Sequence, residues 1–237
     1  MRTNILPACS CIVPFYNEGM RPIPVIGALV QVKNLSEIIC IDGGSDSPET
    51  ANTIKKKFPN VILVRLVKSK GKSEAVQAGL SRVTSPYVML MDADLRRVIP
   101  YEIENGIDAI TKNPNVGMII FRRMSDPWFS KMIRGEILTS GERILRTVDL
   151  KNIFNSHPHG YQLEYAINFY MMKYRKNAYW VSYSAQNDPK IFKVGILKGL
   201  SQELTMYYNM VQFAGVWPAL KSLFFFCRKE HKKSLSI

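Results

Sequence analysis

V-M-L-M-D-A-D-L, Val88 to Leu95, is the stretch that decides how the rest of the chain is read. Four apolar residues, enough for a buried strand, run straight into Asp92 and Asp94 with only Ala93 between them. Burying a carboxylate is costly, so a strand that ends in two of them points to a site at its end. In an open α/β sheet ligands gather at the carboxyl ends of the strands, and two hard oxygen donors there suit Mg²⁺ or Mn²⁺ carrying a phosphate. The competing reading is a strand that finishes in a solvated acidic turn, and Asp-x-Asp is too short a motif to separate the two.

Working outward, the preceding residues repeat the pattern. Residues 8–14, A-C-S-C-I-V-P, read as a short apolar strand closed by Pro14 and followed by a polar turn holding Asn17 and Glu18. A helix is expected from Pro24 towards Asn34. Residues 37–42 are a second buried strand ending in Asp42, followed by the glycine-rich turn Gly43-Gly-Ser-Asp-Ser47. Residues 48–58 read as a helix with Pro48 in its first turn and Lys55-Lys-Lys57 near its C-terminal end, where the helix dipole favours cations. Residues 61–66 are a third strand, and the basic turn Lys68-Ser-Lys-Gly-Lys-Ser73 leads into a helix over 74–81. Lysines beside a helix N-terminus hold phosphate well, although this run lacks the spacing of a P-loop and also reads as a solvated basic loop. Strands alternating with helices predict βαβ units and a parallel sheet. In such a sheet Asn17, Glu18, Asp42, Ser45, Lys72, Asp92 and Asp94 all fall along one edge.

Composition bounds the partners. The chain has 237 residues, 46% hydrophobic and 22% charged, as in an ordinary globular protein, but its formal net charge is +13. That surplus calls for anionic company: nucleotide phosphates, nucleic acid or an acidic membrane surface. No helix-turn-helix or aromatic RNA-binding motif supports nucleic acid as a partner. The four cysteines, Cys9, Cys11, Cys40 and Cys227, show no Cys-x-x-Cys spacing and read as buried apolar residues in a reducing compartment. The N-terminus lacks an apolar run of signal-peptide length, and no stretch approaches the roughly 18 apolar residues of a membrane span. A cytoplasmic protein is expected.

The pieces I-V-P-F-Y-N-E (12–18), I-C-I-D-G-G-S-D-S (39–47), K-G-K-S-E-A-V-Q-A-G-L (70–80) and V-M-L-M-D-A-D-L (88–95) together resemble the nucleotide-sugar domain of GT-A glycosyltransferases of the family-2 kind. The resemblance implies an α/β GT-A fold, a mainly parallel central sheet flanked by helices, with residues 1–100 as a nucleotide-binding half, 101–215 as an acceptor half and 216–237 as a basic aromatic tail. It implies that Pro14, Asn17, Glu18, Asp42 and Ser45 hold the nucleoside of a nucleotide diphosphate sugar. Lys72 would face the diphosphate, and Asp92 and Asp94 would bind ribose and the Mg²⁺ or Mn²⁺ ion. Gly43 departs from the family, which commonly has a second aspartate there, and this leaves the choice of base open.

In the second half, residues 116–121 read as a strand. R-R-M-S-D-P-W-F (122–129) resembles the Arg-rich loop that faces the acceptor in the retaining branch of this fold. Segments 138–145 and 159–165 resemble the Gly-Glu and Gly-Tyr-Gly-x-Glu segments of glucosyl-3-phosphoglycerate synthase-like enzymes. Carried over, Glu142 would touch acceptor or sugar and Glu164 would bind sugar hydroxyls. Without the resemblance, Glu142 reads as a surface or capping residue of a helix that Arg143-Ile-Leu begins. The family's later metal-binding histidine is missing, with Gln186 or Asn187 nearest its place and His157 and His159 as candidates by proximity.

The expected chemistry is displacement of a nucleoside diphosphate from an anomeric carbon. The leaving group gains charge, which a metal on Asp92 and Asp94 with Lys72 nearby would offset. Asp94 and Glu142 are the catalytic candidates, Glu142 as the base that an inverting enzyme needs and a retaining one does not. The acceptor would be a small anion or a lipid-linked group. An inverting polyprenyl-phosphate sugar synthase and a nucleotidyltransferase are the alternatives. Towards the C-terminus, a helix is expected over 201–213. The aromatic and cationic run from Val216 to Lys233 allows either peripheral contact with the inner face of a membrane or packing on the sheet. A homodimer is left open.

Overall fold

The computed structural model describes residues 9–69, 71–124, 135–156, 158, 162–186 and 215–231. The predicted helix over 201–213, residues 125–129 of the Arg-rich loop, His157, His159 and Asn187 lie outside the described residues.

Strands β1 (Cys9–Phe15), β2 (Leu35–Asp42), β3 (Ile62–Arg65) and β4 (Tyr87–Leu90) pair in parallel, with helices α1 (Pro22–Leu29), α2 (Glu49–Lys57) and α3 (Lys72–Leu80) in the connections. After α4 (Pro100–Thr111) come β5 (Met118–Arg123), the single-turn α5 (Gly135–Leu138), β6 (Arg143–Arg146), α6 (Thr147–Phe154), α7 (Gln162–Lys173), β7 (Ala178–Tyr183), α8 (Val216–Phe225) and β8 (Lys229–Glu230). They form an eight-stranded sheet in the order β3-β2-β1-β4-β6-β5-β7-β8. Every pairing is parallel except those of β6, which runs antiparallel to both β4 and β5. The mainly parallel α/β sheet is therefore as expected, with one reversed strand at its centre.

Strand alternation divides the core between the two faces. Cys9, Cys11, Val13 and Phe15 of β1 join Val25, Ile26 and Leu29 of α1 and Ile103, Ile107 and Ile110 of α4 on one side. Ile12, Ile39 and Ile41 join Val76 and Leu80 of α3, Leu150 and Ile153 of α6, and Leu163 and Ile167 of α7 on the other. Burial on both faces is why these strands read as continuous apolar runs. All four cysteines are buried and free. Helix α3 lies so close to β1 that a Cβ at Gly79 would come within 2.6 Å of Ile12 Cγ2, and glycine is what permits that approach.

Several boundaries shift for local reasons. Helix α1 starts at Pro22 rather than Pro24 and ends by Leu29, because both prolines fit a first turn whose N–H groups have no intrahelical partner. Gly71, at φ 100°, lets α3 begin at Lys72, which brings that lysine into the helix and out of the basic loop. Arg122 and Arg123 belong to strand β5 rather than to a loop. Residues 143–146 are a strand and not the start of a helix, since Ile144 and Leu145 are buried and β6 is paired on both edges. Among the described residues no helix is long and apolar enough to cross a membrane.

At the opposite edge of the sheet, Glu37 ties β2 to β1 and to the approach to β4. It accepts hydrogen bonds from Ser10 Oγ, from Thr84 N–H at 3.1 Å and from Thr84 Oγ1 at 2.8 Å. Burial pushes its pKa up, but the Ser10 and Thr84 donors outweigh that and hold it below the ordinary glutamate value of 4.5. A depressed carboxylate stabilises the fold above its unfolded pKa and loses that contribution as pH falls through the folded value. Glu37→Gln should therefore cost about 1 kcal/mol at pH 7. The deficit should shrink below about pH 4.5, as measured by urea unfolding at the two pH values; an equal deficit at both would remove the ionised form from the account.

Candidate active site

Parallel pairing brings the carboxyl ends of β1, β2 and β4 together, and the reversed β6 brings its amino end to the same edge. Leu90 pairs with Arg143, so the residues just past β4 face those just before β6. Asp92 accordingly lies against Gly141, where an added Cβ would fall 2.6 Å from the Asp92 carboxyl carbon.

Three polar groupings line this edge. In the first, Lys72 at the start of α3 donates to Asp92 Oδ1 at 2.7 Å and to Glu164 Oε1 at 2.8 Å. The Lys72 and Asp92 side chains are 24% and 23% exposed, accessible to a ligand yet mostly withdrawn from water. Burial works against both charges, but the ion pairs prevail. Lys72 is held above the usual lysine range by Asp92 and Glu164, and Asp92 is pulled down to about 2 by Lys72. The second oxygen of Glu164 is buried with no hydrogen-bond partner among the described residues.

Behind them stands Glu142, fully buried. It accepts from Ser140 Oγ at 2.9 Å and from Arg123 at 3.2 and 3.3 Å, and its carboxylate lies beside that of Asp92. Burial, reinforced by the Asp92 charge and opposed by Arg123, pushes its pKa up to about 7. Arg143, also fully buried, donates to the carbonyls of Ser140 and Glu164 and to Asn168 Oδ1, pinning the 140–142 turn to α7.

The second grouping organises the turns after β1 and β2. Asp42 is buried, accepts Ser45 N–H at 2.8 Å, and has Arg65 Nε at 3.2 Å. Ser45 Oγ accepts Asn17 N–H at 3.0 Å, and Asn17, at φ 52°, exchanges two hydrogen bonds with Asp46. Half-buried Pro14 lies in β1 just ahead of this turn. In the third, Arg21 bonds Glu18 at 2.9 Å and comes within 4.0 Å of Asp94.

Of the sequence-predicted residues, Lys72, Asp92, Glu164 and Glu142 thus meet directly, Asn17, Ser45 and Asp42 form the neighbouring turn pair, and Glu18 reaches Asp94 through Arg21. Glu142 differs most from expectation. It lies between Asp92 and Arg123 with no exposed surface, neither a surface residue nor one open to a substrate. Arg21 and Arg65 lie outside every motif quoted above; Arg123 falls in the Arg-rich stretch and Ser140, Gly141 and Arg143 in segment 138–145, but no partner for any of them is legible there. Their signal, an arginine set in an apolar strand or a glycine beside a glutamate, is common in proteins without a site.

The donor set fits a divalent cation of the Mg²⁺ kind. Among the described residues no three His, Cys, Asp or Glu side chains group as a complete cage. Mg²⁺ commonly takes one or two carboxylates and completes its shell with water and substrate phosphate, which Asp92 and Asp94 beside a lysine can supply. Gln186 exchanges backbone hydrogen bonds with Arg96 at 2.8 and 2.9 Å, so the loop after β7 is fixed two residues beyond Asp94. The described histidine, His231, stacks edge-on against Tyr179.

A mainly parallel sheet with one reversed strand beside the Asp-x-Asp strand, and with carboxylates and a lysine at its carboxyl edge, is the GT-A architecture of glycosyltransferases. The chain belongs to glycosyl transferase family 2, whose model matches residues 10–169. It is 29% identical over 130 residues to undecaprenyl-phosphate 4-deoxy-4-formamido-L-arabinose transferase of Sodalis glossinidius, a match covering 52% of this chain and 39% of that protein. It is 30% identical over 127 residues to dolichyl-phosphate beta-glucosyltransferase ALG5A of Trichomonas vaginalis, covering 48% and 39%. Each match thus spans well under half of the relative's length. The fold is similar to glucosyl-3-phosphoglycerate synthase from Mycobacterium tuberculosis, with a TM-score of 0.70 at 15% identity over 89% of this chain and 81% of that one. That enzyme has also been solved with Mn²⁺, uridine-diphosphate and glucosyl-3-phosphoglycerate, a structure matching with a TM-score of 0.69.

Gly141→Ala should displace the Asp92 carboxyl and, with it, the Lys72 bridge. Isothermal titration with a nucleoside diphosphate and Mn²⁺ should show binding weakened about tenfold or more, with the circular dichroism spectrum unchanged. Undiminished affinity would show that Asp92 need not sit where it does.

Proposed function

We infer that this glycosyltransferase moves a sugar from a nucleotide diphosphate donor to a small anionic or lipid-linked acceptor, with Mg²⁺ or Mn²⁺ as its metal. The observation that carries the reading is Lys72 held between Asp92 and Glu164, beside Asp94, at the carboxyl edge of the sheet in a chain of this family. Asp94 and Asp92 would hold the cation, which would supply positive charge to offset that gained by the departing diphosphate. Lys72 has three N–H donors, two of them engaged, and turns the third to the diphosphate. Asp42, Ser45 and Asn17 shape the two turns that receive the nucleoside. Glu164 presents its unpartnered oxygen to a sugar hydroxyl.

In the transfer, the bond from the anomeric carbon to the diphosphate oxygen breaks and a bond from that carbon to an acceptor oxygen forms. Glu142, enclosed by Ser140, Arg123 and Asp92, acts as a positioning residue. The acceptor proton then passes to the leaving diphosphate on the same face, which favours retention of configuration. The second reading, an inverting polyprenyl-phosphate sugar synthase, draws on the relatives named for undecaprenyl-phosphate and dolichyl-phosphate. Membership in a glycosyltransferase family takes the place of the nucleotidyltransferase alternative.

Donor identity is tested by thermal shift with UDP-, GDP- and ADP-sugars, with and without Mn²⁺. One of them should raise the melting temperature only when metal is present, and Asp94→Ala should abolish that shift without lowering the melting temperature of the free protein. No shift with any donor removes the donor assignment. The role of Glu142 separates the two stereochemical readings. Glu142→Gln should keep turnover within about fivefold of the parent if the residue only positions its neighbours, whereas loss of a general base costs about 10²–10⁴-fold.

A further inference from the structure

Helix α8 has two unlike sides. Phe226 and Cys227, at its end, are buried in the core cluster that includes Leu163, Ile167 and Met171 of α7, and Ser222 is fully buried one turn earlier. Trp217, Lys221, Phe224 and Phe225 fall at i, i+4, i+7 and i+8, the spacing of a single helix face. That face looks outward: Trp217 is 75% exposed, Phe224 57% and Phe225 72%. Lys221 is exposed among the three rings, and Arg228 and Lys229 are exposed just beyond them. Arg228 sits 6.0 Å from the Phe225 ring. From Lys221 to Lys233 the sequence carries five basic residues and one acidic residue, Glu230.

We propose that this face of α8 is a docking surface for an anionic lipid membrane, lying in the plane of the headgroups with Trp217, Phe224 and Phe225 inserted and Lys221, Arg228 and Lys229 on the lipid phosphates. Three large rings on one solvent-facing side gain from leaving water, and the lysine among them selects a partner that is apolar and negatively charged at the same depth. A membrane interface has that combination. The buried side of the helix and β8, hydrogen-bonded to the edge of the sheet, fix this face to the catalytic fold, so the whole domain would rest on the bilayer. Docking through α8 and the residues just past it does not depend on the donor or acceptor of the reaction.

Co-sedimentation of the full chain with vesicles of phosphatidylcholine, or of phosphatidylcholine with one third phosphatidylglycerol, tests it. Binding should be confined to the anionic vesicles and should weaken steeply between low and high salt. On those vesicles the emission of the parent protein should shift to the blue, and the Trp217→Phe variant should lose that shift. Phe224→Ser with Phe225→Ser, and separately Lys221→Glu with Arg228→Glu, should each reduce partitioning about tenfold or more, since one basic residue near such a surface is worth about fivefold. Because these side chains are exposed, melting temperature and any metal-dependent donor shift should be unchanged, so a failure here is distinguishable from a failure of the site. Equal binding by parent and variants overturns the proposal, as does absence of binding to either vesicle. A dimer in sedimentation velocity that dissociates on Trp217→Ala would assign the face to a second copy of the chain instead.

Discussion

The ammonium of Lys72 is the point on which the site depends. Three carboxylates, Asp92, Glu164 and Glu142, come together beneath the sheet edge, and without compensating charge they would drive one another apart or take up protons. Lys72 answers the first two from the start of α3 and Arg123 answers the third from the end of β5. Removing one partner of a buried ion pair costs about 3–5 kcal/mol, because the other charge is left stranded. The lysine therefore joins the first half of the chain to the second energetically as well as spatially, linking α3, the end of β4 and α7.

That meeting is possible because β6 runs backwards. An eighth parallel strand in its place would deliver a carboxyl end, with the next helix leading away. The antiparallel strand instead delivers its amino end, so Ser140, Gly141 and Glu142 arrive face to face with Asp92. Gly141 leaves room for the aspartate, and buried Arg143 fastens the turn to α7 through carbonyl oxygens. The surroundings of Asp92 are thus shaped from the second half of the chain, not only from the strand that carries it.

Much of this was legible from residue order. Apolar runs at 8–14, 37–42 and 87–91 marked strands buried on both faces, the run at 61–66 marked the half-exposed edge strand β3, and the polar turn after each marked one edge of the sheet. The structure brings Lys72, Asp92, Glu142 and Glu164 together at that edge. The reversed strand was not legible, because R-I-L-R carries no strong period and its direction is set by the partners on either side. Nor were the partners of Arg21, Arg65, Arg123 and Arg143. An arginine in an apolar stretch gives no sign of which carboxylate or carbonyl it will meet. Of the three phenylalanines at 224–226, the two in α8 face outward and Phe226, in extended backbone just past the helix, turns into the core.

By itself the sequence determined the fold class, the polar edge and the residue types gathered there, since hydrophobic period and turn chemistry are local properties of the chain. Only the tertiary structure decided what each of those residues does there. Burial depth and long-range pairing turned Glu142 from an apparent surface carboxylate into an enclosed one, committed Asp42 to Ser45 and Arg65, and left the second oxygen of Glu164 without a partner. A carboxylate's charge state and reach depend on what is brought against it from distant parts of the chain, and that is fixed only when the sheet closes.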